Sequence, residues 1–246
     1  MSFPNLFAYA MQHKVNCFAP HDHKYLDALT LLDWERYLGI SVKNARTLLR
    51  QGYTETFNII NFGKLAGGTQ AHPHSQDGVL VSDGTSRIEW ERGQFKVLSN
   101  TLDDPFGEYF QFARKNGLDC LETEEVMVMA PYAPQFPDQI EIYVKPRSSS
   151  LLSLQKNTIR DLAKALHHTT HFLSTQRGVT DMNFAIHQDT LDSSSSYRLH
   201  LHLFPRNKNI PAGMEFAYSQ NVIDTFPEQT AEAYRAYFAG LPEYAR

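Results

Sequence analysis

The residues best suited to chemistry lie in one stretch, Asn61-Phe62-Gly63-Lys64-Leu65-Ala66-Gly67-Gly68-Thr69-Gln70-Ala71-His72-Pro73-His74-Ser75-Gln76. Gly67 and Gly68 let backbone N–H groups approach an anion, while Asn61, Thr69 and Gln76 add amide and hydroxyl donors around one small volume. Donors fixed in advance are what a pentacoordinate phosphorus transition state requires. His72 and His74 can hold a metal or attack phosphorus. A neutral histidine is a competent nucleophile when its other ring nitrogen is held by a carbonyl or carboxylate. Pro73 stiffens the backbone between the two rings. The pattern points to a phosphate-handling site. For an isolated His-x-His the plainer alternative is two polar residues at a strand mouth.

A second constellation comprises His187, His200 and His202. Two imidazoles at i and i+2, with a third from a neighbouring strand, suit zinc or iron, and Glu89 or Glu91 could add a carboxylate. The alternative is a polar, hydrogen-bonded strand face. His167, His168 and His171 lack the glutamate of an HExxH motif and lie beside or opposite an apolar helix face, so a solvated surface is expected there.

The elements that must position these residues follow from local patterns. Residues 5–10 and 13–19 read as extended. Thr30 with Asp33 resembles a capping box opening a helix with an apolar face at Trp34, Leu38, Ala45 and Leu48 or Leu49, stopped near Gly52. A strand over 55–60, the glycine-rich turn and a strand from His72 to Ser82 come next. Arg87 to Leu98 reads as a hairpin turning at Arg92-Gly93, and Asp104-Pro105 opens a helix ending before Gly117. Alternation predicts strands over 125–129 and 139–144. A helix follows with Ile159, Leu162, Ala163, Leu166 and Leu173 on one face, then strands over 181–187 and 197–204. In the last of these, His200 and His202 face one side and Leu199, Leu201 and Leu203 the other.

The order of elements repeats. Strand, Pro20, helix, a strand with Asn58 and the His72/His74 strand match strand, Pro146, helix, a strand with Asn183 and the His200/His202 strand. This argues for a duplicated α+β unit, with a first repeat and its hairpin in 1–100 and a second repeat with a C-terminal helix in 101–246, forming one compact body. A chain of 246 residues with 42% hydrophobic content can bury such a core. A net charge of -4 without a basic stripe excludes general nucleic-acid binding. Cys17 and Cys120 form no Cys-x-x-Cys pair and no disulfide framework. With no signal-like apolar run and no membrane-length segment, a soluble cytoplasmic protein without a membrane partner is expected.

Asn61 to Gln76 resembles the active-site segment of the galactose-1-phosphate uridylyltransferase family, with its ADP-glucose phosphorylase branch, in the histidine-triad (HIT-like) superfamily. The similarity extends through Phe18-Ala19-Pro20-His21-Asp22-His23, Tyr143-Val144-Lys145-Pro146, Leu199 to Arg206, Ala212 to Phe216 and Pro227-Glu228. The resemblance implies an α+β, HIT-like fold of duplicated antiparallel half-sheets, each with a packed helix. It also implies ping-pong nucleotidyl transfer from a nucleotide sugar to a sugar phosphate, in a homodimer. By position His74 would form the covalent nucleotidyl-histidine and His72 would support it or face a metal. Asn61, Thr69 and Gln76 would contact phosphate oxygens, and sugar contacts would come from residues near Glu215 to Gln220. His187, His200 and His202 match a second metal cluster carried by some members. The family's N-terminal Cys-x-x-Cys segment has no counterpart in this sequence. Its usual zinc site is therefore not expected, because only His72 with His21 or His23 remains of the ligand set. A phosphorylase or hydrolase of dinucleoside polyphosphates and a non-catalytic nucleotide-binding protein are the alternative functions.

Overall fold

In a computed structural model, the described residues are 1–20, 25–206, 213–218 and 220–241. His21 and His23 lie outside them. Nine strands form one antiparallel sheet in the order β1-β2-β4-β3-β8-β9-β7-β6-β5. The strands are β1 (Ser2–Pro4), β2 (Lys14–Cys17), β3 (Thr56–Phe62), β4 (His74–Val79), β5 (Asp119–Glu122), β6 (Val126–Met129), β7 (Ile140–Val144), β8 (Met182–His187) and β9 (His200–Pro205). The helices are α1 (Leu31–Arg50), α2 (Arg87–Leu98), α3 (Pro105–Lys115), α4 (Lys156–Arg177), α5 (Gly213–Tyr218) and α6 (Pro227–Ala239).

Strand alternation decides which side chains reach which layer. Thr56, Asn58, Ile60 and Phe62 of β3 are buried, and so are Met182, Phe184 and Ile186 of β8. Leu199, Leu201 and Leu203 join the same core, which packs beneath α1 and α4 with Trp34, Leu38, Leu162, Leu166 and Phe172. The opposite sheet face carries Asn61, His74, Gln76, His187, His200 and His202. Over the second half this face is covered by α3, whose Phe110 and Ala113 pack with Met127, Met129 and Tyr143.

The duplication is a constant offset of 126 positions, the difference between 143 and 17 and between 200 and 74. Cys17 pairs with His74 and Tyr143 with His200. Ile59 pairs with Gln76 and Ala185 with His202. The pairing of β1 with β2 and of β6 with β7 keeps the same offset, and the halves join where Asn61 pairs with Asn183. This corrects the expected matching of the two histidine pairs by two residues. His74, not His72, is equivalent to His200, Gln76 is equivalent to His202, and Asn61 is equivalent to His187. Counting the His-x-His motifs as equals hides the shift, which backbone pairing reveals.

Local chemistry explains the other outcomes. Thr30 caps α1 as expected: its backbone N–H donates to Asp33 Oδ2 at 2.9 Å, and the Asp33 N–H donates to its hydroxyl at 3.3 Å. The expected hairpin over 87–98 is instead the helix α2, with Ser86 and Glu89 forming a capping box. Gly93 sits in the interior of α2 with no positive φ, so Arg92-Gly93 makes no turn. Residues 5–10 form turns rather than a strand, the His72–Ser82 strand shortens to β4, and β5 was not anticipated. The histidines of α4 are not a freely solvated face either: His168 is buried and His167 and His171 are half-buried. His168 is 7% exposed and packs on Phe238, His167 Nδ1 lies 2.9 Å from the Leu29 carbonyl, and Tyr237 Oη lies 2.9 Å from His171 Nδ1. Polar edges of a ring bury readily when a neighbour supplies the hydrogen bond. No helix among the described residues is long and apolar enough to cross a membrane.

Candidate active site

The turn after β3 is built on glycine for two reasons. Gly63 and Gly67 have φ of 85° and 80°, in the left-handed region. At Gly68 a Cβ would lie 2.7 Å from the Asn61 carbonyl oxygen and 2.8 Å from that of Gly63. The Gly67 and Gly68 N–H groups donate to the carbonyls of Lys64 and Gly63, at 3.0 and 2.8 Å. These glycines therefore close the turn on itself, and their amides are engaged inside it instead of facing an anion. The second half of the chain clamps the same turn. Asp181 accepts the Leu65 N–H at 2.8 Å, and the Asn183 amide donates to Asn61 Oδ1 and to the Ala66 carbonyl, each at 2.8 Å.

Beyond the turn, β4 delivers His74 and Gln76 into an open cavity of about 410 Å³. Thr69, Gln70 and His72 line it from the turn, while Val15 and Cys17 of β2 line it from the neighbouring strand. Asn61, Gly67 and Gly68 are not among its lining residues. His74 Nδ1 lies 2.8 Å from the His72 carbonyl oxygen, so it carries the proton and donates. That leaves Nε2 with a free lone pair on a ring that is 8% exposed. The ring is thus fixed in the tautomer a nucleophile requires, by its own backbone.

Several residues around this cavity were not anticipated. Tyr9 Oη lies 3.1 Å from Gln76 Oε1 and His13 Nε2 lies 2.9 Å from it. Phe3, Asn5, Leu6 and Phe7 also line the cavity. Only the antiparallel register of β2 on β4 brings the first residues here, and no local motif announces it.

The equivalent positions of the second half form a closed cluster. Donor atoms of Glu91, His187, His200 and His202 all lie within 4.8 Å of one another. Glu91 comes from α2, one helical turn past its N-terminus, and is the fourth donor that the three histidines needed. His187 Nδ1 is 2.7 Å and His200 Nε2 is 3.0 Å from the Glu91 carboxylate. His200 Nδ1 donates to the Arg198 carbonyl at 2.9 Å, the same two-residue-back bond that holds His74. Burial and the neighbouring His202 push the His187 imidazolium down to about 3, against its hydrogen bond to Glu91, so the ring is neutral. His202 is 3% exposed, and its Nδ1 is 3.0 Å from Glu141 Oε1, yet neither ring nitrogen makes a hydrogen bond of sound geometry. Burial alone would raise the Glu141 carboxyl; the facing His202 and the Tyr143 hydroxyl outweigh it and bring it down to about 2. Three buried imidazoles and a carboxylate with their donor atoms within 4.8 Å of one another fit a zinc or iron ion.

No protein-family model matches the chain. In backbone geometry it superposes on a uridylyltransferase structure with a TM-score of 0.86 and 22% identity, covering 96% of this chain and 84% of that one. The fold is that of the uridylyltransferases. It is the α+β architecture of duplicated antiparallel half-sheets with packed helices expected from the sequence. An ADP-glucose phosphorylase from Arabidopsis thaliana, crystallised with bound ADP-glucose, shares the uridylyltransferase-like fold with a TM-score of 0.80 and 20% identity, over 95% of this chain and 80% of its own. In sequence, the galactose-1-phosphate uridylyltransferase of Thermotoga maritima is 26% identical over 154 residues, 59% of this chain. The match spans 46% of that protein's length.

Proposed function

We propose that this uridylyltransferase-like chain is a nucleotidyltransferase acting on nucleoside diphosphate sugars through His74. The observation that carries the reading is the His74 Nδ1 contact with the His72 carbonyl at 2.8 Å, in a ring lining an open cavity. In the proposed step, His74 Nε2 attacks the α-phosphorus of the donor. The N–P bond forms as the bond to the bridging oxygen breaks, and sugar 1-phosphate leaves with that electron pair. The imidazolium charge is met by the His72 carbonyl oxygen, which accepts the Nδ1 proton's hydrogen bond throughout. A second sugar phosphate then takes the nucleotidyl group and restores the neutral ring. Thr69 and Gln76 are the side-chain donors for phosphate oxygens, Asn61 is held by Asn183, and Gly67 and Gly68 give the turn its shape. The sequence likeness to a galactose-1-phosphate uridylyltransferase and the fold shared with an ADP-glucose phosphorylase support this donor class.

The second-half cluster is proposed to hold a zinc or iron ion on Glu91, His187, His200 and His202. Four protein ligands would complete a tetrahedral zinc, which would then cross-link α2, β8 and β9.

The reading is tested by incubating the protein with UDP-glucose, ADP-glucose or diadenosine tetraphosphate and measuring intact mass after quenching. One nucleotidyl group per chain, absent in His74→Asn, is expected with a sugar donor. Labelling by diadenosine tetraphosphate alone would transfer the reading to dinucleoside polyphosphate chemistry. No labelling by any donor, with nucleotides still raising the melting temperature, would leave a binding protein.

A further inference from the structure

The amide of Gln76 is not free to choose which end it shows to the cavity. Its carbonyl oxygen lies 2.9 Å from His13 Nε2 and 3.1 Å from the Tyr9 hydroxyl. The direction of the first bond follows from the other side of the His13 ring, which is 4% exposed. The Tyr9 backbone N–H points at His13 Nδ1 at 3.4 Å, and a backbone N–H can only donate. Asn5, whose Oδ1 accepts the Phe7 N–H at 3.0 Å, turns its amino group toward the ring at 3.2 Å from Nε2 and 3.5 Å from Nδ1 and does not discriminate between them, so the Tyr9 N–H decides. Nδ1 is therefore the acceptor, the ring proton sits on Nε2, and Nε2 donates to Gln76.

The ring cannot easily swing away. Tyr9 packs edge-on at 4.3 Å and Phe57 at 5.6 Å between ring centroids. Phe57 in turn lies over Gly78, where a Cβ would come within 2.7 Å of its ring. With its oxygen held by two donors, Gln76 has its amino group left for the cavity it shares with His74. An amide showing its oxygen would repel a phosphate, whereas one showing its N–H groups attracts it. The same arrangement recurs at Asn61, whose oxygen is held by Asn183 at 2.8 Å.

We propose that the turn formed by residues 5–13 is a positioning device for the proposed site: His13 and Tyr9 lock Gln76 so that its amino group donates to anionic phosphate oxygens of the bound nucleotide. The proposal rests on the functional reading above for the identity of the ligand. It assigns to residues far from the histidine motif a role in binding the transferred group.

The test is a double-mutant cycle on the full chain, reading the rate of adduct formation and, separately, the affinity for inorganic pyrophosphate by calorimetry. His13→Ala and Gln76→Ala should each weaken both by about 10- to 100-fold, the range for hydrogen bonds to a charged group. In the Gln76→Ala background, His13→Ala should add less than about twofold. His13→Gln, which restores an N–H donor, should recover most of the loss. Effects of His13→Ala that persist in full without Gln76, or a wild-type-like His13→Ala, overturn the proposal. If His13→Ala does not fold, Tyr9→Phe removes one hydroxyl only. It should weaken pyrophosphate binding about threefold with Gln76 present and not at all without it, and any other pattern overturns the proposal. Should no donor label the wild type, the transferase reading fails while the pyrophosphate cycle still decides this one.

Discussion

The two halves of the sheet place different chemistry on the same three backbone positions. Asn61, His74 and Gln76 in one half stand where His187, His200 and His202 stand in the other, 126 residues on. Both halves hold the first strand histidine by the carbonyl two residues back, at 2.8 and 2.9 Å. What differs is the surroundings. Over the second half α2 brings Glu91 against the rings and α3 covers the neighbouring strands, whereas over the first half the turn of residues 5–13 and the glycine turn border an open cavity. Beneath the sheet the contrast is reversed. Asp77 accepts the amides of Asn16 and Asn58 at 2.9 and 2.6 Å and that of Asn44, whereas the equivalents of Asp77, Asn16 and Asn58 are Leu203, Ile142 and Phe184. One repeat thus has an imidazole lining an open cavity over a polar interior, and the other a closed cluster over an apolar one. The backbone sets where an imidazole stands and in which tautomer; what covers it decides whether it is a nucleophile or a ligand.

That contrast can be broken at the cluster first. Glu91→Ala removes the carboxylate from two buried histidines and should cost about 3 kcal/mol of stability, read by urea denaturation. It should also lower bound zinc or iron in the purified protein well below one per chain, while adduct formation per folded molecule changes less than about threefold. Removing the metal with a chelator should act in the same direction. Loss of labelling in proportion to metal would mean the second half takes part in the chemistry.

The polar interior of the first half should show itself in pH dependence. Burial raises the Asp77 carboxyl to about 6, partly opposed by hydrogen bonds from Asn44 and Asn16, the charge of Lys14 and a hydrogen bond from Asn58. A folded value above the unfolded 3.8 means that ionised Asp77 is disfavoured in the fold. The cost is absent below the unfolded value, grows as pH rises and is complete above about 6. Relative to Asp77→Asn, the wild type should therefore lose about 2 to 3 kcal/mol between pH 3.5 and 7. A flat difference would place the carboxylate in contact with water.

Smaller effects separate the turn from the helices. Gly68→Ala should cost about 2 kcal/mol, because its methyl group meets two carbonyl oxygens, and should slow labelling as the turn carrying Thr69 shifts. Thr30→Ala and Ser86→Ala each remove a helix cap worth about 1 kcal/mol. Only Ser86→Ala should also speed metal loss, because α2 carries Glu91.

Much of this contrast was legible in the sequence, because it depends on short patterns. The glycine turn, His72 and His74, the Thr30 cap and the alternation from Leu199 to Leu203 are signals that local rules read directly. Glu91 stands among the candidate carboxylates, although Arg92-Gly93 suggests a hairpin where Ser86 and Glu89 cap the helix α2. What stayed hidden depends on pairing between distant strands. The two-residue shift between the histidine pairs needs the register of β4 and β9, and the placement of Tyr9 and His13 on Gln76 needs that of β2 on β4. The burial of His168 depends on α6, which follows it by some sixty residues.

Of the two equivalent imidazoles, His74 and His200, only the one lining the open cavity is expected to become covalently modified. The most direct measurement is site mapping of the nucleotidyl adduct: label with UDP-glucose or ADP-glucose, digest under conditions that preserve phosphoramidates, and locate the group by tandem mass spectrometry. A single modified residue, His74, is expected, with His200 and His202 unlabelled. A nucleotidyl group on His200 or His202, or on His72 with His74 unmodified, would contradict it.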